Sequence, residues 1–162
     1  MKIRNLEIQD AGFMLEWMHD EDVVKDLAAN FLNMTIEDCE AFIKKSRTMD
    51  EDIHLACCND DDEYMGTVSL KHINRSFSNA EFAICFRKCA MGKGYSEYGM
   101  RHILQLGKKL GIDKIYWCVS EKNTRAVRFY DKNQYERTDR VPQNISEKYT
   151  SEQLKDFIWY VY

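Results

Sequence analysis

The most constraining feature of the sequence is an abrupt change of pattern at residues 81–110. Glu81-Phe82-Ala83-Ile84-Cys85-Phe86 is a short, largely apolar run of strand character, followed by a basic pair, Arg87-Lys88. Gly92-Lys93-Gly94 breaks the strand pattern. Beyond the break Tyr95, Gly99, Ile103, Leu106 and Leu110 recur at steps of three and four, which predicts a helix, and Gly111 is placed to cap its C-terminus. This order of strand, glycine turn and helix has a chemical consequence. Glycine permits a tight backbone, the missing side chains let successive N–H groups point at one anion, and the helix N-terminus adds positive potential. A diphosphate fits such a cradle, with charge available from Lys93, Arg87 and Lys88. Taken by itself, the tripeptide is equally well an ordinary strand-to-helix turn. There is no G-x-x-x-x-G-K-S/T, which excludes a P-loop, and no G-x-G-x-x-G after an early strand, which argues against a Rossmann dinucleotide site.

The remaining segments read as a closely spaced series of elements. Residues 2–6 alternate like a strand. A helix follows Asp10, with Met14, Trp17 and Met18 on one side, and residues 21–34 are irregular. Thr35 opens a further helix: its hydroxyl can cap the first turn, Asp38 sits as in a variant capping box, and Ile36, Cys39, Phe42 and Ile43 form the apolar face. Two runs, residues 53–58 and 64–73, flank the polar turn Asn59-Asp60-Asp61-Asp62-Glu63 and read as a β-hairpin. After the glycine turn and its helix come a strand at 112–119, a short helix at 123–132, a strand at 135–138 and a terminal strand at 157–162. The order strand, two helices, three strands, helix, strand, helix, two strands predicts a mixed α/β layer domain. With 162 residues and no linker, repeat or low-complexity tract, the chain is expected to form a single domain over 1–162.

Composition narrows the function classes. A formal charge of −4 argues against a nucleic-acid partner. No apolar run follows the N-terminal residues and none is long enough to span a bilayer, so a soluble, cytoplasmic protein is expected. Six cysteines (39, 57, 58, 85, 89 and 118) form no C-x-x-C pair, and several sit in apolar runs, which favours reduced thiols acting as small hydrophobes. The four histidines do not cluster with them, so no metal site is expected.

The segment Met91-Gly92-Lys93-Gly94-Tyr95-Ser96 resembles the acetyl-CoA loop, Q/R-x-x-G-x-G/A, of the GNAT N-acetyltransferase superfamily. Ala80–Phe86 resembles the fourth strand of that family's ribosomal-protein and spermidine N-acetyltransferase branch, and Asn123–Tyr135 its N-x-x-A-x-x-x-Y-x-x-x-G-F segment. The element order fits throughout. The departures are Met91 for Gln or Arg, Ser96 for Gly or Ala, and Gln134 for Gly. The resemblance implies the GNAT fold, a mixed, mostly antiparallel twisted sheet of about seven strands flanked by about four helices. It implies transfer of an acetyl group from acetyl-CoA to a primary amine: a polyamine, an amino sugar or a protein amine. Ile84, Cys85 and Phe86 would pair their backbone with the pantetheine arm, Met91, Gly92, Lys93, Gly94, Tyr95 and Ser96 would cradle the diphosphate, and Asn123 would bind the pantetheine region. Relatives of this kind often dimerise, and the aromatic C-terminal strand offers an edge for it. A non-catalytic acyl-CoA-binding domain on the same scaffold is the alternative, and a small α/β protein working through protein contacts alone is a third reading.

An amine of pKa about 10.4 is neutral in only about one molecule in 2,500 at pH 7, so such a reaction gains from a general base. The leaving thiolate, of pKa about 8.5, gains from a proton donor such as a tyrosine. Tyr130 matches the family's tyrosine and is the candidate acid; packing beside Ala126 is its plain structural role. Glu81 is the candidate base, on the reasoning that a partly buried carboxylate has a raised pKa; a solvated strand end or a structural ion pair is the alternative. The acidic runs 20–22 and 60–63 could attract a cationic acceptor, and the irregular stretch 21–34 could line its pocket.

Overall fold

The structure, a computed structural model, describes every residue except Ala28 and Met49. Seven strands form one sheet: β1 (Lys2–Asn5), β2 (Ile53–Cys58), β3 (Tyr64–Asn74), β4 (Asn79–Phe86), β5 (Lys114–Ser120), β6 (Glu136–Arg137) and β7 (Phe157–Val161). Their spatial order is β1-β2-β3-β4-β5-β7-β6, and only β4 and β5 run parallel. The hairpin pairs lie antiparallel because short turns join them, whereas the β4–β5 connection carries a helix long enough to cross back. The helices are α1 (Ala11–Met18), α2 (Glu21–Val24), α3 (Ile36–Ser46), α4 (Tyr95–Lys109), α5 (Thr124–Lys132), α6 (Gln143–Ser146) and α7 (Ser151–Asp156). Among the described residues, no helix is long and apolar enough to cross a membrane.

Side-chain alternation along the strands supplies two cores. Val68, Leu70, Phe82 and Phe86 point to the face covered by α4, through its Met100, Ile103 and Leu104. Ala56, Cys58, Tyr64 and Cys85 point to the other face, beneath α1 and α3, which contribute Met14, Trp17, Met18, Cys39 and Ile43. The first core holds α4 very close to the sheet. Gly99 makes that approach possible, since a Cβ there would lie 2.6 Å from Val68 Cγ1. The Thr35–Asp38 capping box forms as expected, but Ile36, the first residue of α3, remains exposed.

Other differences from the expectation have local causes. The irregular stretch 21–34 holds the single turn α2, too short to show periodicity and started by the Asp20 carboxylate capping Asp22 N–H; Ala28 within that stretch lies outside the described residues. The interval before the last strand contains α6, which begins after Pro142, and α7, which begins with a Thr150–Gln153 capping box. The aromatic C-terminal strand is not an edge: β7 lies between β5 and β6 because the short strand at 136–137 covers its outer side. The sheet edges are β1 and β6.

Candidate active site

The parallel β4–β5 ladder is only three pairs long: Asn79 with Lys114, Ala80 with Ile115, and Glu81 with Tyr116. Beyond Glu81 the strands part. Phe82–Phe86 keep β3 on one side, while the edge facing β5 has no strand partner among the described residues. A cavity of about 400 Å³ occupies the opening. Residues 82–85 line it from β4, residues 117–120 from β5, and Asn123, Ala126 and Tyr130 from α5; it continues beneath α1 and α3. The divergence therefore exposes a length of strand backbone, with its N–H and C=O groups, to an extended ligand.

At one end of this opening the glycine turn feeds α4. Gly92 and Gly94 adopt φ of +76° and +84°, left-handed values that glycine takes without strain. Gly94 is the N-cap of α4, and its carbonyl accepts the Tyr98 N–H at 3.0 Å. No hydrogen bond among the described residues uses the N–H of Gly92, Gly94, Tyr95, Ser96 or Glu97. The result is a run of unused donors at a helix N-terminus. Lys93 is exposed and without an ion pair there. The neighbouring cations are committed elsewhere. Arg87 is buried, paired with Glu16 at 2.8 Å and with Glu63, and lies over the Phe13 ring. Lys88 binds Asp22 at 2.7 Å. Met91, in the place of the usual Gln or Arg, receives the Arg125 guanidinium on its sulfur at 2.8 Å, which brings a cation from α5 to the loop.

Tyr130 lines the cavity from α5. Its ring packs against Trp117 and Tyr160, with centroids 5.4 and 5.1 Å away, but its hydroxyl makes no hydrogen bond among the described residues. Burial pushes that phenol well above the ordinary tyrosine range, so it stays protonated at any working pH. Asn123 caps α5 by accepting the Ala126 N–H at 3.1 Å, and its amide nitrogen has no hydrogen-bond partner among the described residues.

Glu81 stands at the fork of β4 and β5 and is buried. Lys71, its cross-strand partner, puts Nζ 2.6 Å from Oε1. The Tyr149 hydroxyl donates to the same oxygen at 2.6 Å, and His72 Nδ1 lies 3.0 Å from Oε2. Two successive residues of one strand reach the same carboxylate because the ladder is irregular between Lys71 and Asn74, and His72 takes a φ of +52°. Tyr149 is brought in by α6, which Asn144 ties to Asn79 of β4 through a reciprocal side-chain pair at 2.9 and 3.4 Å. The expectation of a raised carboxyl pKa is overturned. Burial pushes Glu81 upward, but the His72 hydrogen bond, the charge and hydrogen bond of Lys71, and the Tyr149 hydroxyl together hold it below the ordinary value of 4.5. Lys71, His72 and Tyr149 carried no distinguishing signal in the sequence.

Five carboxylates of the acidic runs have cationic partners. Asp22 and Asp20 face Lys88, Asp62 binds Arg4 at 2.9 Å, Asp60 holds the N-terminal amine, and Glu63 holds Arg87. Three thiols are buried and two half-buried, Cys85 being pushed up to about 12 by burial; Cys89, against expectation, is exposed. Among the described residues no three His, Cys, Asp or Glu side chains form a metal-holding group.

A family model for an acetyltransferase (GNAT) domain matches residues 1–136. The chain belongs to the GNAT acetyltransferase family. It is an acetyl-CoA-dependent N-acetyltransferase. The GNAT fold covers more than the matched residues. A spermidine N-acetyltransferase from Vibrio cholerae, solved with CoA and spermine, is similar with a TM-score of 0.81 at 18% identity, over 99% of this chain and 94% of that one. A chimera of the Vibrio cholerae enzyme and hSSAT gives 0.78 at 19% identity, over 99% and 93%. A dodecameric form of the Vibrio cholerae enzyme gives 0.74 at 19%, over 99% and 92%. No curated protein matches.

Proposed function

We propose that this GNAT domain binds acetyl-CoA along the open edge of β4 and acetylates a primary amine that approaches from beneath α1 and α3. The observation that carries the reading is the parting of β4 and β5 after Glu81, with the Tyr130 hydroxyl unpartnered in the gap. The donor supplies an acyl thioester. The backbone of Ile84, Cys85 and Phe86 aligns its pantetheine arm, assisted by the free amide of Asn123. The 91–96 loop takes the diphosphate on the free N–H groups of Gly92, Gly94, Tyr95 and Ser96, with Lys93 and Arg125 as the cations, so the loop works without a polar side chain at Met91.

The amine nitrogen forms a bond to the acetyl carbon as the C–S bond breaks. Tyr130 holds a proton for the departing sulfur, giving the free thiol. Glu81 is the proposed base, receiving the proton that the nitrogen loses, directly or through water. Because its partners keep it ionised, it is ready at neutral pH but accepts the proton weakly, which places its contribution at the low end of the roughly 10²–10⁴-fold range of general catalysis. The network leaves the carboxylate well oriented in exchange for basicity. The test is calorimetry with acetyl-CoA, with Gly94→Trp as control: φ at position 94 is +84°, and an indole there would crowd the cradle. Micromolar binding that the variant loses supports the proposed donor site. Absence of binding at millimolar acetyl-CoA would overturn it.

A further inference from the structure

The cavity extends past Glu81 to a chamber whose character differs from the donor side. Its roof is Trp17, Phe31, Met34 and Phe42, with Trp17 and Phe31 edge to face at 5.2 Å and Phe42 against the His54 ring at 4.7 Å. Its floor is polar, but the polar groups satisfy one another. His54 Nδ1 lies 2.8 Å from Ser69 Oγ, the Thr67 hydroxyl pairs with Tyr64 at 2.7 Å, and Lys71 is held on Glu81. Among the described residues, the carboxylates that line the cavity are Glu81 and the half-buried Asp26. In the nearby acidic runs Asp20 and Asp22 are tied to Lys88, Asp62 to Arg4, Glu63 to Arg87 and Asp60 to the N-terminus, while Glu21 and Asp61 face solvent outside the cavity lining.

From this distribution we infer that the acceptor is a small primary amine carried on an apolar body, aryl or alkyl, and not a polyamine. The inference rests on the proposed acetyl-transfer site and specifies what that site accepts. The reacting amine needs one anionic neighbour, and Glu81 supplies it. Each further ammonium group of a polyamine would enter an apolar chamber, losing hydration without a matching carboxylate, and Asp26 is a single charge. An aryl or alkyl body instead loses apolar surface to the Trp17–Phe31 wall, and each added methylene is worth roughly fourfold in binding.

The experiment measures kcat/KM by release of CoA thiol for butylamine, hexylamine, 2-phenylethylamine, putrescine and spermidine, beside calorimetric titration of acetyl-CoA. The expected result is a rise of roughly fifteenfold from butylamine to hexylamine and a preference of at least about tenfold for 2-phenylethylamine over spermidine. Phe31→Asp should reverse the order, lowering 2-phenylethylamine and raising spermidine, with acetyl-CoA affinity unchanged. If acetyl-CoA binds but spermidine is preferred, or if neither class is turned over, the inference falls and the donor site stands. If acetyl-CoA does not bind, the proposed function falls and takes the inference with it.

Discussion

Replacing Tyr130 by phenylalanine separates its packing from its proposed role as proton donor. Its ring is packed against Trp117 and Tyr160, and phenylalanine keeps those contacts. Its hydroxyl makes no hydrogen bond within the described residues, so removing it orphans no buried partner. Stability should therefore change by less than about 1 kcal/mol, a shift in Tm of no more than about 2–4 °C for a domain of this size. The rate should respond quite differently. Loss of a positioned proton donor costs between about 10² and 10⁴ in kcat. Burial raises the Tyr130 pKa, so the proton is held tightly and the lower end applies. The expected loss is about hundredfold, or about 2.7 kcal/mol of transition-state stabilisation. Thiol release at saturating acetyl-CoA gives kcat, calorimetry gives donor affinity, and a thermal melt gives Tm. A variant that keeps kcat within roughly threefold of the parent, or one that melts far below it, would refute the reasoning. The first result would make Tyr130 a packing residue. The second would mean that the hydroxyl has a structural partner that the folded chain does not display.

Three further outcomes follow from the same geometry. Glu81→Gln leaves Lys71 and His72 facing a neutral amide, and should lower kcat/KM by roughly hundredfold and stability by about 1–3 kcal/mol; unchanged activity across pH would eliminate the base role. Gln134→Gly should stabilise the chain by about 1 kcal/mol, read as a higher urea midpoint, because Gln134 sits at φ +59° in a helix-ending turn where Tyr135 N–H bonds Tyr130 O and Gln134 N–H bonds Asp131 O; an unchanged or lower midpoint would contradict the strain. Stability should also fall on acidification in two steps. Burial depresses the His54 pKa, so the unfolded ring takes up a proton near 6.5 while the folded ring stays neutral, and stability erodes as pH drops below that value. Glu81, also depressed when folded, adds a second loss that begins below 4.5. Urea midpoints that rise between pH 7 and pH 5.5 would contradict the first step.

What the sequence makes legible is whatever the chain states locally. The glycine turn announces itself because Gly92 and Gly94 occupy backbone angles that other residues avoid, and α4 announces itself by period. Glu81 stands out as the one charge in an apolar strand, and Tyr130 by its place in a spaced motif. The partners of Glu81 are different. Lys71 arrives through strand register, His72 through a bulge, and Tyr149 through the docking of a four-residue helix, and none of these leaves a periodic trace. The same holds for the acidic turn at 59–63. In one dimension it is a solvated charge run, but the fold matches it to Arg4, Arg87 and the N-terminus. Gln134 shows a further limit. At the end of α4, Gly111 occupies φ +76° in the same hydrogen-bonded turn, with Ile112 N–H on Gly107 O and Gly111 N–H on Lys108 O. At the end of α5 the turn forms with glutamine instead, so the geometry persists where its usual residue is missing.

The position of Glu81 at the fork connects stability with chemistry. A buried ion pair seldom stabilises a fold more than well-packed apolar side chains of the same volume, so packing alone does not account for a carboxylate at this point. The fork does account for it. Up to Glu81 the two strands share hydrogen bonds, and immediately beyond it they separate around the cavity. The carboxylate is placed where the closed sheet ends and the cavity begins, fixed by one partner from β3, one from the bulge beside it and one from the C-terminal segment. Tyr149 lies outside residues 1–136, which the family model matches. Tyr149→Phe removes one donor from Glu81 Oε1 while leaving the ring against Trp159, 5.1 Å away. The carboxyl pKa should then rise toward 4.5. If Glu81 is the base, the acid limb of the kcat/KM profile should move to higher pH in this variant. If Glu81 only holds the fork together, the limb should stay where it was while the melting temperature falls.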